Sequence, residues 1–445
     1  MSRTECLILM NFKLYLKEIF LLATPMIIGN LGHVLTGAVD VLVAAKHSVD
    51  TLAAIAIANS IIFTVLILGL GFLTGISILI SNYRGEKKRT KKFFVSGIIL
   101  SQILALLTWI ALIGITFFIP FFGFEKNLVY PIQEYIFVTS FSMFGMFLYQ
   151  AIKEFLQAHE IVNFPNFILL ATVVLNFVLN WVFVFGFGPI PALGVVGLSL
   201  ATLIVRTICG LAMVVYTWKI IKDQNNRHEY DFEYMKNVIK VGMPIGVGLL
   251  FEFFGFNLIT MSVGRDAGVL AATHNILITL VDMAFMVPFA ISSAIAIKVG
   301  FYNGAKNLQE IKNFGKIGVT VATLFMFVFS FAFYFKPDFF IGIFTKDVEI
   351  IKIALPIVSL FSLFVIADGL QISLGGILKG FKMTKQVTAC TLSSYWFVGI
   401  PLGFYLAYGC SMSLKGFWLG LTVALVVVAI SESLFIAHKI KNIEY

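Results

Sequence analysis

Residues 164–187 read FPNFILLATVVLNFVLNWVFVFGF and contain no Asp, Glu, Lys or Arg. A helix of about 20 apolar residues is long enough to cross the hydrocarbon core of a bilayer. A strand of a membrane barrel would instead show about ten residues of alternating polarity. The stretch therefore predicts a membrane-spanning helix.

Apolar runs of this kind recur along the whole chain of 445 residues. Hydrophobic residues make up 59% of the sequence and charged residues only 12%, which excludes a soluble fold of this size. In hydrocarbon every backbone polar group must be paired within the protein, so unbroken apolar runs are expected to be helices. Twelve spans are predicted, at residues 20–45, 52–82, 93–122, 129–157, 164–187, 193–218, 238–263, 270–301, 314–335, 350–378, 386–408 and 414–437.

An internal repeat divides the spans into two sets of six. A shift of 219 residues pairs Pro25 with Pro244, and later in each half the predicted offset drifts to 222, where Gly194 would pair with Gly416. Because six is even, the two copies have the same orientation in the membrane, an arrangement found in transporters. The sequence thus predicts an all-α membrane protein with twelve transmembrane helices in two six-helix lobes.

The predicted domains follow this repeat. They are an N-terminal tail at residues 1–18, an N-lobe at 19–218, a linker at 219–237, a C-lobe at 238–437 and a C-terminal tail at 438–445. Of the Lys and Arg residues, 24 fall on the side of the predicted membrane that holds both termini and 7 on the other side. Basic loops stay in the cytoplasm, so both termini are predicted to be cytoplasmic in a multi-pass protein of the inner (plasma) membrane. This topology accounts for the net charge of +9, and no nucleic-acid partner is expected.

Ionisable residues inside the spans are the candidate functional groups, because a charge in the bilayer is costly unless it is paired or hydrated. In the N-lobe, Asp40 lies seven residues after His33, on the same helix face. Asn176 and Asn180 are spaced i, i+4, and Thr202 lies on the sixth span. A buried carboxylate among amides and hydroxyls can bind a proton or a sodium ion. The alternative is that the two Asn residues only join helices by hydrogen bonds.

The C-lobe contributes more acids. Glu252 and Asp368 lie deep in their spans and form a candidate sodium site, or a pair that shares protons. Asp282 and Glu432 are weaker candidates, each facing a hydrated cavity or a polar neighbouring helix. Arg206, inside the sixth span, is expected to neutralise an N-lobe acid; contact with an anionic substrate group is the alternative.

Several motifs resemble those of MATE transporters, the multidrug and toxic compound extrusion proteins, over nearly the whole chain. They are Thr24-Pro25, Asp40, Asn176, Asn180, Gly194-Val195-Val196-Gly197, Gly242-Met243-Pro244, Glu252, Ala271-Ala272-Thr273-His274, Phe285-Met286-Val287-Pro288, Val299-Gly300, Asp368-Gly369-Leu370-Gln371 and the segment 376–380. Acids at both Glu252 and Asp368 resemble the NorM branch. The resemblance implies a C-lobe cation site at these two acids and an N-lobe polar network at Asp40, Asn176, Asn180 and Thr202. Asn275, Thr279, Asp282 and Arg206 depart from the family pattern.

The resulting interpretation is a secondary antiporter that exports amphipathic, often cationic small molecules in exchange for sodium ions or protons. No nucleotide-binding Gly loop, nucleophile motif or metal cluster indicates an enzyme, and no cofactor is expected beyond the coupling ion. The expected partners are the substrate and membrane lipid, and the chain is expected to be a monomer. Two rivals remain: a lipid-linked oligosaccharide flippase of the same superfamily, favoured only by Arg206, and a channel or receptor.

Overall fold

The computed structural model describes residues 3–222 and 230–443, without the side chains of residues 3–11, 221–222 and 266. Part of the predicted linker and the ends of both predicted tails lie outside the described residues. Twelve helices are long and apolar enough to cross a membrane, and the described residues form no β-strand. The prediction of an all-α fold with twelve spanning helices is confirmed.

The helices are labelled α1 to α12 in chain order. They comprise Arg3–His47, Val49–Gly85, Phe94–Phe118, Lys126–Ala158, Asn163–Phe185, Val195–Lys222, Phe232–Asp266, Gly268–Gly304, Leu308–Phe335, Val348–Gly380, Thr384–Gly409 and Leu414–Lys441. Two π-helical segments, Tyr395–Gly399 and Tyr405–Gly409, interrupt the regular α-helical geometry of α11. A six-residue helix, Pro337–Gly342, precedes α10.

Local sequence explains where several helices begin and end. The side chain of Asp347 accepts hydrogen bonds from the backbone N–H groups of Glu349 and Ile350, which caps the start of α10. Asn307 caps α9 through the N–H of Glu310 in the same way. At the end of α5, Gly186 has a φ of +82°, a conformation that glycine adopts without a steric penalty.

The repeat is visible in the helix bounds. Helices α2 and α8 are each 37 residues long and begin 219 positions apart, and α6 and α12 are each 28 residues long with the same offset. Helices α4 and α10 are each 33 residues long and begin 222 positions apart. The offset of 222 is therefore confined to the middle of each half.

One predicted pairing is wrong as a result. Gly194 corresponds to Ser413, and both residues have positive φ immediately before a helix. Gly416 corresponds instead to Gly197. A Cβ on Gly197 would lie 2.6 Å from the backbone of Phe183, and a Cβ on Gly416 would lie 2.4 Å from the backbone of Ala407. Both glycines therefore let the helix approach the preceding helix closely.

The chain forms two compact units, and three helices contribute residues to both of them. The N-unit comprises Ile28–Ile80 and Lys88–Gly246, and the C-unit comprises Met1–Ile27, Ser81–Lys87 and Val247–Tyr445. Helices α1, α2 and α7 are thus each divided between the units.

Polar contacts hold the ends of α1 and α2 within the C-unit. Lys298 Nζ lies 2.8 Å from Glu18 Oε2, which ties α8 to α1. Asn82 donates from Nδ2 to the carbonyl oxygen of Gly380 at 3.1 Å, and Asn303 donates to Asn82 Oδ1 at 2.7 Å. The ends of α1 and α2 are therefore integral parts of this unit.

Helices α4 and α6 of the N-unit pack closely through two glycines. A Cβ on Gly210 would lie 2.6 Å from the carbonyl oxygen of Gly145, and a Cβ on Gly145 would lie 2.5 Å from the carbonyl oxygen of Arg206. Small residues allow this close backbone approach between membrane helices. The contact places Arg206 against α4.

Candidate functional site

The N-unit contains a cavity of about 360 Å³ whose lining residues all belong to this unit. Its wall is partly apolar, and its polar lining includes His33, Asp40, Asn59, Asn176, Thr202 and Arg206. The sequence predicted that His33 and Asp40 share a helix face, and both line this cavity. The cavity volume falls within the range of about 300–1,000 Å³ that is usual for small-molecule sites.

Asp40 is held by the predicted pair of asparagines. Asn180 donates from Nδ2 to Asp40 Oδ1 at 2.6 Å, and also lies 3.0 Å from Asn176 Oδ1. Both Asn side chains are fully buried on one face of α5. Asn176 also acts on Asp40 and Thr202 on the hydroxyl of Tyr135, whereas Asn180 Oδ1 has no hydrogen-bond partner among the described residues. The network around Asp40 therefore keeps hydrogen-bonding capacity for an ion, a proton carrier or a solute.

The expected direct ion pair between Arg206 and Asp40 is not formed. Arg206 donates from Nη1 to Ser142 Oγ at 3.0 Å, whereas Asp40 accepts from Asn180. The two charges interact at longer range, and Tyr135 lies near both of them. The physical reason is the glycine contact between α4 and α6, which brings the arginine within reach of a hydroxyl on α4.

A buried charged pair on α4 was missed by the sequence reasoning. Lys153 and Glu154 are both buried, although neither was named as a candidate. Glu154 accepts hydrogen bonds from Ser77 and from Gln150, the latter at 3.0 Å. The signal was present: both residues lie five or fewer positions before the end of a long apolar helix, where the next helix can still cover them.

Three of the predicted acids lie in the C-unit, close enough for their charges to influence one another. Glu252 of α7, Asp282 of α8 and Asp368 of α10 act on one another through their charges. Asp368 is buried, Glu252 is partly buried and Asp282 is exposed. The phenol of Tyr395 on α11 lies beside Glu252, and the charge of Lys379 also acts on it. The arrangement offers carboxylate and hydroxyl oxygens from four helices.

Glu432 on α12 stands apart from these acids. Its side chain is fully buried, the backbone N–H of Gly375 lies beside its carboxyl, and the charge of Lys379 at the end of α10 acts on it. It packs against Gly375, where a Cβ would lie 3.3 Å from Glu432 Oε1. The expectation of a hydrated cavity or a polar neighbour at Glu432 stays a prediction. The equivalent residue in the first repeat is Met213, which is also fully buried.

Comparisons with known proteins agree with the repeat. The MatE family profile matches residues 25–182 and again residues 244–405, two matches that begin 219 residues apart. The chain is 26% identical over 438 residues to a probable multidrug resistance protein NorM of Photorhabdus laumondii, with 96% of each protein covered. It is 29% identical to a probable multidrug resistance protein NorM of Mesorhizobium japonicum, covering 92% of this chain and 90% of that protein.

Solved structures share the fold. The eukaryotic MATE transporter AtDTX14 superposes with a TM-score of 0.86 at 19% identity, with 96% of each chain covered. An outward-facing multidrug resistance MATE family transporter of the MOP superfamily gives a TM-score of 0.87 at the same identity and coverage. The predicted two-lobe helical fold is confirmed by these likenesses.

Proposed function

The chain belongs to the MatE family of multi-pass membrane transporters, and from this premise we propose that it exports amphipathic, often cationic small molecules in exchange for sodium ions or protons. It is a transporter and not an enzyme. The multidrug resistance names of its relatives support a drug-like or metabolite substrate. Alternating access of the two lobes provides the transport cycle in this proposal.

The observation that carries the proposal is the group of three acids in the C-unit. Carboxylates that interact in a medium of low dielectric repel one another, so binding of a proton or a sodium ion lowers the free energy of the group. Sodium favours several oxygen ligands, which Glu252, Asp368 and Tyr395 offer. Glu252 and Asp368 form the cation site in this proposal, and Asp282 adds a third charge to it.

In this proposal, the charge of the bound ion couples ion binding to release of the substrate. When the ion binds, the negative charge of the site falls, and the affinity for a cationic substrate falls with it. The reduction in affinity is reciprocal, because the substrate weakens ion binding by the same factor. A substrate and an ion that compete in this way are exchanged across the membrane.

The N-unit network supplies a second candidate coupling group. Asp40 is hydrogen-bonded by Asn180, and Asn176 and Thr202 place further amide and hydroxyl groups on the wall of the same cavity. Such polar neighbours stabilise one protonation state of the carboxyl more than the other. In this proposal Asp40 changes its protonation or binds an ion during the transport cycle.

The topology is part of the proposal. The distribution of Lys and Arg supports cytoplasmic termini and an inner-membrane location. The functional unit is proposed to be a monomer in contact with membrane lipid.

A lipid-linked oligosaccharide flippase is the second candidate, and the observation that favours it is Arg206 in the N-unit cavity. A pyrophosphate group needs several positive charges, whereas Asp40 lines the same cavity and repels anions. Drug export is therefore the better-supported function.

Efflux of ethidium from vesicles that contain the purified protein tests the proposal. Sodium and proton gradients of each sign are imposed separately. We expect ethidium to move against its own gradient when one of these ions moves in the opposite direction, and this movement to stop when an ionophore collapses the ion gradient. Ethidium movement at the same rate with and without either ion gradient would contradict antiport. Movement of a fluorescent pyrophosphate lipid without any ion gradient would favour the flippase.

A further inference from the structure

Arg206 lines the N-unit cavity with most of its hydrogen-bonding capacity unused. A guanidinium has five N–H donors, and among residues 3–222 and 230–443 the one hydrogen bond of Arg206 goes to Ser142. In the part of the chain that the structure describes, no carboxylate lies within ion-pair distance of Arg206. A partly buried cation whose nearest acid, Asp40, acts on it only at longer range is incompletely neutralised, so its remaining donors point to an anionic group that arrives with the solute.

The repeat shows that the fold does not need a cation at this position. Leu425 occupies the equivalent position on α12, and Phe364 occupies the position on α10 equivalent to Ser142. Both residues are buried and apolar. The equivalent helix pair of the C-unit therefore packs without an arginine and a serine. Packing of α6 against α4 alone does not explain why Arg206 is present.

Asp40 and Arg206 line one cavity without joining each other directly. A purely cationic solute in this cavity is attracted by Asp40 and repelled by Arg206, and a purely anionic solute experiences the reverse. A solute that carries both charges satisfies both residues. Carboxylate and guanidinium also match in geometry, because two parallel hydrogen bonds can form between them.

The rest of the cavity wall indicates that the solute also has apolar surface. Ile62, Phe63, Leu66, Met146, Leu169 and Val205 provide apolar surface between the polar groups. We propose that the N-unit cavity recognises amphipathic zwitterions, with Asp40 facing the cationic group and Arg206 binding the carboxylate. This inference rests on the proposed export function and names a substrate class for it.

Two dyes that differ only by one methyl ester test whether Arg206 binds the carboxylate of the solute. Rhodamine 110 carries a free carboxylate, and rhodamine 123 is its cationic methyl ester. Binding of each dye to the purified, detergent-solubilised protein is measured by fluorescence anisotropy. For Arg206→Gln we expect Kd for rhodamine 110 to rise at least tenfold while Kd for rhodamine 123 stays within about threefold or falls, and for Arg206→Lys we expect an intermediate loss.

Lys219→Gln is the matched control, because it removes one positive charge from an exposed position on the same helix outside the cavity. We expect it to leave the ratio of the two Kd values unchanged. Thermal unfolding confirms that each variant is folded. Arg206→Leu, which copies the residue of the other repeat, serves as a second charge-free variant and should give the same loss as Arg206→Gln.

An unchanged ratio of Kd values in both charge-free variants would overturn the inference, and so would an equal loss for the two dyes. If phosphatidylethanolamine in the micelle displaces dye from the parent protein but not from Arg206→Gln, the bound anion is a lipid phosphate and the assignment to soluble zwitterions is wrong. Because binding is measured without a gradient, a failure of antiport would appear separately, as parent protein that binds the dyes but does not move them.

Discussion

Asn180 Nδ2 lies 2.6 Å from Asp40 Oδ1, and this hydrogen bond joins two helices across 140 positions of sequence. Asn180 also reaches Asn176, one turn earlier on α5. A single amide therefore fixes one oxygen of Asp40 while the carboxyl faces a cavity. Asp40 is therefore hydrogen-bonded to an amide and not to Arg206, the residue that had been expected to neutralise it.

Asp40→Asn is expected to abolish coupled export and leave the protein folded, because the amide keeps the shape of the carboxyl and loses its charge. The double variant with Arg206→Gln should remain inactive, since Arg206 is hydrogen-bonded to Ser142 and does not pair directly with Asp40. Gradient-driven ethidium transport in vesicles measures both. Recovery in the double variant would show that Asp40 only balances the charge of Arg206.

Glu432→Met is expected to raise the free energy of unfolding by about 1–3 kcal/mol, because it replaces a fully buried ionisable group with an apolar side chain. Met213 fills the equivalent position in the first repeat, so the side chain should fit. Thermal unfolding in detergent measures the change, with Glu432→Gln as the polar control that should gain little. We expect transport to be retained; a stabilised but inactive variant would instead make Glu432 part of the coupling machinery.

Cysteine labelling tests the orientation in the membrane. Native Cys410 is exposed in the loop before α12, on the side predicted to be extracytoplasmic, and should react with an impermeant thiol reagent added to intact cells. A cysteine at Lys88, introduced together with Cys410→Ser, lies in the loop after α2 and should react only after the cells are opened. The reverse labelling pattern would invert the topology.

The spanning helices and the spacing of Asn176 and Asn180 could be predicted because each depends on a few consecutive residues. Apolar length determines a span, and an i, i+4 spacing determines a helix face. The repeat could be found because Pro25 and Pro244 occur at one fixed offset. These features need no knowledge of which helices touch.

The partner of Arg206 could not be predicted, since it depends on how closely α4 and α6 approach. That distance is determined by Gly145 and Gly210, whose effect on packing appears only in three dimensions. The burial of Lys153 was missed for a related reason: a charged residue near a helix end is expected at the membrane surface unless neighbouring helices cover it. The pairing of Gly194 with Gly416 failed because the offset of 222 ends before the sixth helix of each half.

Transport by Glu252→Gln and Asp368→Asn tests the central claim, that an acidic site in the C-unit couples ion entry to substrate export. Purified variants with the thermal stability of the parent are placed in vesicles, and ethidium efflux is followed under sodium and proton gradients. We predict that each single variant loses gradient-driven efflux, because one carboxylate cannot reproduce the interacting pair. If both variants pump like the parent under both gradients, the coupling site does not lie at Glu252 and Asp368.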